Sequence, residues 1–163
     1  MIDAETYAAA EAVLDAFRER GWTIATAESC TGGLVAGALT AVPGSSDVVD
    51  RGFVTYSNAA KTAMLGVRET ILAAHGAVSR ETACAMAEGA RAAAGVSASV
   101  STTGVAGPGG GSAEKPVGLV HFACVRPDGT IRHCEMRFGE LGRAEIRRRA
   151  VLVALSLLAE AAR

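Results

Sequence analysis

Apolar positions recur at helical spacing through residues 1–20, where Tyr7, Val13, Leu14 and Phe17 fall among Glu and Arg, and Gly21 supplies a stop. The spacing predicts a helix there. Residues 22–26 are short and partly β-branched. The pattern then breaks at Ser29-Cys30-Thr31-Gly32-Gly33, and helical spacing resumes over 34–42 until Pro43-Gly44 ends it. Residues 52–56 read as a second strand and 59–65 and 69–75 as helical stretches. A long alanine-rich helix is expected from an N-cap at Ser79 to Gly95. Residues 96–103 alternate small and β-branched side chains as a central strand does, then enter 104–112, whose glycines exclude regular structure. Strands at 117–125 and 130–138 flank Pro127-Asp128-Gly129, a strong hairpin signal. A last helix over 143–162 carries one apolar stripe at Ile146, Ala150, Val153 and Leu157 and another at Val151, Leu155 and Leu158.

Three strands separated by helices imply parallel neighbours joined by right-handed crossovers, while the hairpin sets one strand antiparallel. The predicted fold class is therefore α/β: three layers, α/β/α, around a mixed sheet of about five strands. At 163 residues the chain suits one domain spanning 1–163, and it shows neither repeat nor linker. Ligands of such sheets collect beyond the carboxyl ends of the parallel strands, where 29–33, 56–61 and 104–112 are all expected to emerge.

Composition narrows the function. Hydrophobic residues make up 50% and charged residues 20%, with a net charge of −1, which excludes a disordered chain and argues against a polyanion partner. Only 4% of residues are aromatic, too few for a base-stacking surface, so no nucleic-acid partner is expected. The best apolar run, 150–159, is about half the roughly 20 residues a membrane span needs, so no membrane association is expected. Asp3 and Glu5 replace the basic start of a signal peptide, and a cytoplasmic location is the expectation. Cys30, Cys84, Cys124 and Cys134 lack metal-binding spacing and read as buried thiols, with neither zinc nor a disulfide expected. The near-zero net charge conceals an asymmetry: residues 1–50 carry eight acids and two bases, whereas 126–149 carry seven arginines and four acids. That distribution suits a small anionic ligand.

Ser29 opens a strand-to-helix turn, where a hydroxyl lies beside backbone N–H groups that can hold an oxyanion; an N-cap role for Ser29 or Thr31 is the plainer alternative. Glu28 reads as either a base or an orienting acceptor. Cys30 is a rival nucleophile, because a helix N-terminus lowers a thiol pKa. A thiol nucleophile wants a histidine, yet His75, His121 and His133 lie off the three converging loops. Lys61 is the only lysine before residue 115 in an arginine-using chain, and lysine, unlike arginine, can be made neutral by burial. Lys61 is thus a candidate base for Ser29, with Tyr56 as relay or oxyanion donor. The Gly104–Ser112 loop suits close backbone approach to a ligand, although it is neither a Walker loop nor a dinucleotide fingerprint. Arg147, Arg148 and Arg149 offer an anion clamp, or a solvated helix face.

The run Thr26-Ala27-Glu28-Ser29-Cys30-Thr31-Gly32-Gly33 resembles the CinA C-terminal-domain family, the nicotinamide-nucleotide amidohydrolases. Further blocks resemble that family in the same order: Gly44-Ser45-Ser46, Arg51 to Asn58 with Lys61, Gly66-Val67, His75 to Ser79, Gly104 to Pro108 and Lys115 to Gly118. The resemblance covers essentially the whole chain. It implies a three-layer α/β/α fold and hydrolysis of the carboxamide of nicotinamide mononucleotide to nicotinate mononucleotide and ammonia, a step of pyridine-nucleotide salvage. It implies Ser29 as nucleophile, Lys61 as base and Tyr56 as third member of a Ser-Lys-Tyr site, with no metal and no cofactor. It also implies a homodimer and the stand-alone form of a family whose longer members add an N-terminal domain. Loop placement, more than the resemblance, gives ligand roles to Cys30, Thr31, Gly32, Gly33, Thr103, Gly104, Gly107, Arg147 and Arg148. The competing function is a non-catalytic nucleotide-binding or regulatory module related to competence-associated proteins.

Overall fold

A computed structural model describes residues 2–163. Helix α1 (Ala4–Glu19) starts where the Asp3 side chain accepts the Thr6 N–H at 3.0 Å, an N-cap that relieves one of the first turn's orphan donors. Strand β1 (Ile24–Glu28) leads to α2 (Leu34–Thr40), β2 (Val49–Val54), α3 (Asn58–Leu65), α4 (Glu69–His75) and α5 (Arg80–Ala94). Strand β3 (Ala98–Gly104), the hairpin of β4 (Leu119–Val125) and β5 (Ile131–Arg137), and α6 (Arg143–Ala161) complete the chain.

The sheet order is β2-β1-β3-β4-β5, with β2, β1 and β3 parallel and each hairpin strand antiparallel to its inner neighbour. Helices α1, α2 and α6 close one face around Leu14, Phe17, Val100, Phe122 and Leu155. On the other face α3 and α5 pack over Phe53, Leu65 and Met86. The three-layer mixed architecture stands as the pattern of the chain predicts.

Some boundaries move. The first strand runs to Glu28, two residues past its predicted end, because Ala27 and Glu28 continue the parallel register with Phe53 and Val54 on one side and Ser101 and Thr102 on the other. The second strand occupies Val49–Val54 and not 52–56: as an edge strand it is mostly exposed, so its burial leaves little apolar signal. Thr55 and Tyr56 instead lead to Ser57, whose hydroxyl caps α3 by accepting the Ala60 N–H at 3.0 Å.

Two features set the spacing around the site. Ser99 and Ser101 on β3 each donate a 2.6 Å hydrogen bond to an α5 carbonyl, of Ala87 and Ala83, so the alanine-rich helix lies close on a small, polar strand face. Across α5, Gly89 meets α3 so closely that a Cβ there would stand 1.9 Å from the Leu65 carbonyl oxygen. The absent side chain lets α3, the helix that carries Lys61, sit low against α5.

Candidate active site

The carboxyl ends of β1 and β3 and the exit from β2 open on a crevice of about 300 Å³. Ser29, Cys30, Tyr56, Lys61, Thr103 and the 104–110 loop line it, with Ala77 and Val78 from the turn before α5 and Arg143 from the first turn of α6. The three loops expected to converge do meet.

At its floor the Lys61 Nζ donates to Ser29 Oγ at 3.0 Å and to the Thr55 carbonyl at 2.8 Å. Lys61 is 1% exposed and Ser29 9%, and no carboxylate pairs with Lys61 among the described residues. Burial without a counter-ion disfavours the ammonium, so the Lys61 pKa is pushed below the ordinary 10.5. A neutral amine can give one N–H to Thr55 while its lone pair takes the Ser29 proton.

Cys30 is unsuited to the nucleophile's part. Burial pushes its thiol up to about 12, and it lies in the turn ahead of α2 rather than in the helix's first turn. The first-turn donors that were to depress it are engaged elsewhere, since the Val35 and Ala36 N–H groups donate to the Glu28 carboxylate at 2.8 and 3.0 Å. Glu28 is therefore an acceptor that caps α2, and it makes no contact with Ser29 Oγ of the kind a base needs. Gly32 N–H donates back to Ser29 O, whereas the N–H groups of Cys30, Thr31 and Gly33 find no acceptor among the described residues. Of these residues Cys30 lines the crevice, which makes its N–H the turn's candidate oxyanion donor.

The remaining expected site residues divide. Thr103, Gly104 and Gly107 line the crevice, with Thr103 Oγ1 donating to the Ala77 carbonyl at 2.6 Å. Thr31, Gly32 and Gly33 lie behind it: Thr31 is fully buried and bonded to Glu28 and Thr102, and Gly33 takes φ +96° to enter α2. Arg147 reaches the outside of the same turn, donating to the carbonyls of Cys30 and Thr31 at 3.1 and 2.9 Å, and holds backbone rather than ligand. Arg148 turns away altogether, bonded to Glu5 and Glu145.

The basic group at the crevice mouth is Arg143. Its guanidinium donates to the Gly107 carbonyl at 3.0 Å and to the Tyr56 hydroxyl at 2.8 Å, and it pairs with no carboxylate among the described residues. Reading the arginine run alone misses it. The available signal is spacing: Arg143 and Arg147, four apart, share a helix face that Arg148 leaves. Tyr56 is 59% exposed and bonds Arg143, so its phenol stands at the rim and not in the Ser29–Lys61 pair. His121 and His133 stack on each other, with ring nitrogens 3.0 Å apart, outside the lining of the crevice.

Residues 6–162 match the CinA C-terminal domain. The chain is 55% identical over 141 residues to a CinA-like protein of Syntrophobacter fumaroxidans, covering 86% of this chain and 33% of that protein. A CinA-like protein of Anaeromyxobacter dehalogenans is 54% identical, over 85% of this chain and 34% of its own. The chain thus spans about a third of the length of these relatives. Its fold is similar to the crystal structure of the competence/damage inducible protein CihA from Agrobacterium tumefaciens, with a TM-score of 0.98 at 51% identity, covering 100% of this chain and 99% of that one. A CinA superfamily protein from Klebsiella pneumoniae gives 0.90 at 38% identity, covering 95% and 96%.

Proposed function

The chain belongs to the CinA C-terminal-domain family, and from that premise we propose that it hydrolyses the carboxamide of nicotinamide mononucleotide through an acyl-enzyme on Ser29. The observation that carries this reading is the buried Lys61 amine, without a carboxylate partner, 3.0 Å from Ser29 Oγ in a ligand-sized crevice. The choice of substrate comes from the family resemblance.

Neutral Lys61 takes the Ser29 proton as Oγ attacks the carboxamide carbon, which the cationic pyridinium makes electron-poor. The oxyanion forms near the Cys30 N–H, a good donor of this kind contributing about 3 kcal/mol. Protonated Lys61 returns its proton to the departing amine, the C–N bond breaks, and ammonia leaves. Water then adds to the acyl carbon, giving a proton to Lys61, which passes it to Ser29 Oγ as the ester C–O bond breaks and nicotinate mononucleotide leaves. Arg143 at the mouth binds the substrate's phosphate, with Tyr56 orienting the guanidinium through their 2.8 Å bond.

A non-catalytic binding module has no use for this arrangement, because enclosing an unpaired lysine costs stability and supplies only a base. Incubation of the purified protein with nicotinamide mononucleotide, with ammonia and nicotinate mononucleotide measured, separates the two. Equal amounts of both products are expected. Retention of intact bound nucleotide would establish the binding module instead.

A further inference from the structure

Glu28 immediately precedes Ser29, is 1% exposed and pairs with no cation among the described residues. Every contact it makes is with a donor. Oε1 accepts from Thr31 Oγ1 at 2.7 Å and from Val35 N–H at 2.8 Å, while Oε2 accepts from Ala36 N–H at 3.0 Å and Thr26 Oγ1 at 3.3 Å.

Helix α2 has a glycine, Gly33, at its N-cap position and no side-chain cap of its own. Glu28 supplies the missing cap from the end of the preceding strand, and the partial positive charge of the helix end favours a carboxylate there. Strand end and helix start are thereby tied together across the turn that bears Ser29.

The network continues. The single Thr31 hydroxyl proton goes to Glu28, so in the 2.7 Å contact between Thr31 and Thr102 the donor must be Thr102. The Thr102 carbonyl in turn accepts the Ser29 N–H at 2.9 Å. Arg147 holds the Cys30 and Thr31 carbonyls from the far side. Ser29 is bracketed on both sides of the turn, and among the described residues Glu28 is the one group that reaches the strand, the turn and the helix together.

We propose that Glu28 is a positioning residue for Ser29: as an acceptor on every side, it caps α2 from a distance and, through Thr31 and Thr102, fixes the turn that aims Ser29 Oγ at Lys61 Nζ. The proposal rests on the reading of Ser29 as the nucleophile. It does not depend on which amide is the substrate.

The test compares wild type, Glu28→Gln and Thr31→Val in the rate at which a fluorophosphonate labels Ser29, followed by mass spectrometry across pH. Ammonia release from nicotinamide mononucleotide is measured in parallel. In Glu28→Gln one carboxylate oxygen becomes an NH2 group facing donors, and the turn loosens. Labelling and kcat should fall together by about 10- to 100-fold, with KM within about twofold of wild type and the pH midpoint unmoved. Thr31→Val, which removes one arm only, should fall in the same direction by less, and it decides the matter if Glu28→Gln does not fold. Leu14→Val, in the core under α1, serves as a control for stability and should label at the wild-type rate after losing thermal stability.

Wild-type labelling by Glu28→Gln, or by Thr31→Val where that variant decides, would overturn the proposal. So would loss of the pH dependence in Glu28→Gln, which would make Glu28 a base, or an equal slowing in Leu14→Val. A wild type labelled at Ser29 that releases no ammonia would defeat the substrate assignment and leave the positioning role standing on the labelling rates. A wild type not labelled at Ser29 would defeat both.

Discussion

Lys61 Nζ stands 3.0 Å from Ser29 Oγ, and its other partner is a neutral carbonyl, that of Thr55 at 2.8 Å. In the proposed function a lysine so enclosed is the base. The carboxylate nearest in sequence to Ser29, Glu28, is turned onto the helix start and does not hold the lysine protonated.

The rate of amide hydrolysis should therefore climb with pH as Lys61 loses its proton, by about tenfold per unit, and level off at a pH below the ordinary lysine value. Burial sets that direction, because it lowers the Lys61 pKa from 10.5. Lys61→Arg keeps its proton at all working pH values and should lose both the pH-dependent limb and about 10²- to 10⁴-fold in rate. A pH–rate profile of kcat/KM for the two proteins checks this.

Stability carries the same signature with a definite sign. Since the folded-state pKa of Lys61 lies below its unfolded value, the unfolded chain binds the extra proton between the two, and stability rises with pH across that window up to 10.5. Below the window the enclosed group costs stability in full. Lys61→Met should remove this pH dependence and, at neutral pH, raise stability by about 1 kcal/mol, or about 3 °C in Tm, while abolishing activity. Thermal melts at neutral pH and just below pH 10.5 compare the slopes.

Cys30 should prove dispensable for chemistry. Its thiol, pushed up to about 12, stays protonated at neutral pH. Cys30→Ser should keep activity within about threefold, and iodoacetamide should leave the wild-type protein active over a time in which an exposed thiolate would be consumed. Steady-state ammonia release measures both.

Arg143 should distinguish substrates that carry a phosphate from those that do not. Arg143→Gln should raise KM for nicotinamide mononucleotide about tenfold, the modest figure reflecting an exposed guanidinium. KM for nicotinamide riboside should not move. Paired initial-rate curves for the two substrates make the comparison.

The layered fold was legible because its elements announce themselves locally. Ser79 caps α5, Pro127-Asp128-Gly129 closes the hairpin, with Asp128 accepting the Thr130 N–H at 2.9 Å, and the hydroxyl and small residues of β3 mark a strand covered on both faces. The edge strand β2 starts three residues ahead of its expected position because exposure removes the pattern that defines a strand. The meeting of Ser29, Lys61 and the 104–110 loop at one crevice was legible because the turns that present them are local features of the sequence. The place of Arg143 and the choice between base and acceptor for Glu28 were not, since both depend on folded-state contacts: Arg143 meets Tyr56 across 87 positions, and Glu28 reaches Val35 and Ala36 across seven and eight. The arginine run drew attention to Arg147 and Arg148 by charge, whereas helix rotation and the acids Glu5 and Glu145 decide where each guanidinium goes.

The central claim is that Ser29 forms the bond to the substrate, and ammonia release from nicotinamide mononucleotide by Ser29→Ala tests it most directly. Removal of Oγ deletes the nucleophile and leaves Lys61, Arg143 and the crevice in place. Release should fall by at least about 10³-fold with nucleotide binding retained. Near-normal release by that variant would contradict the account.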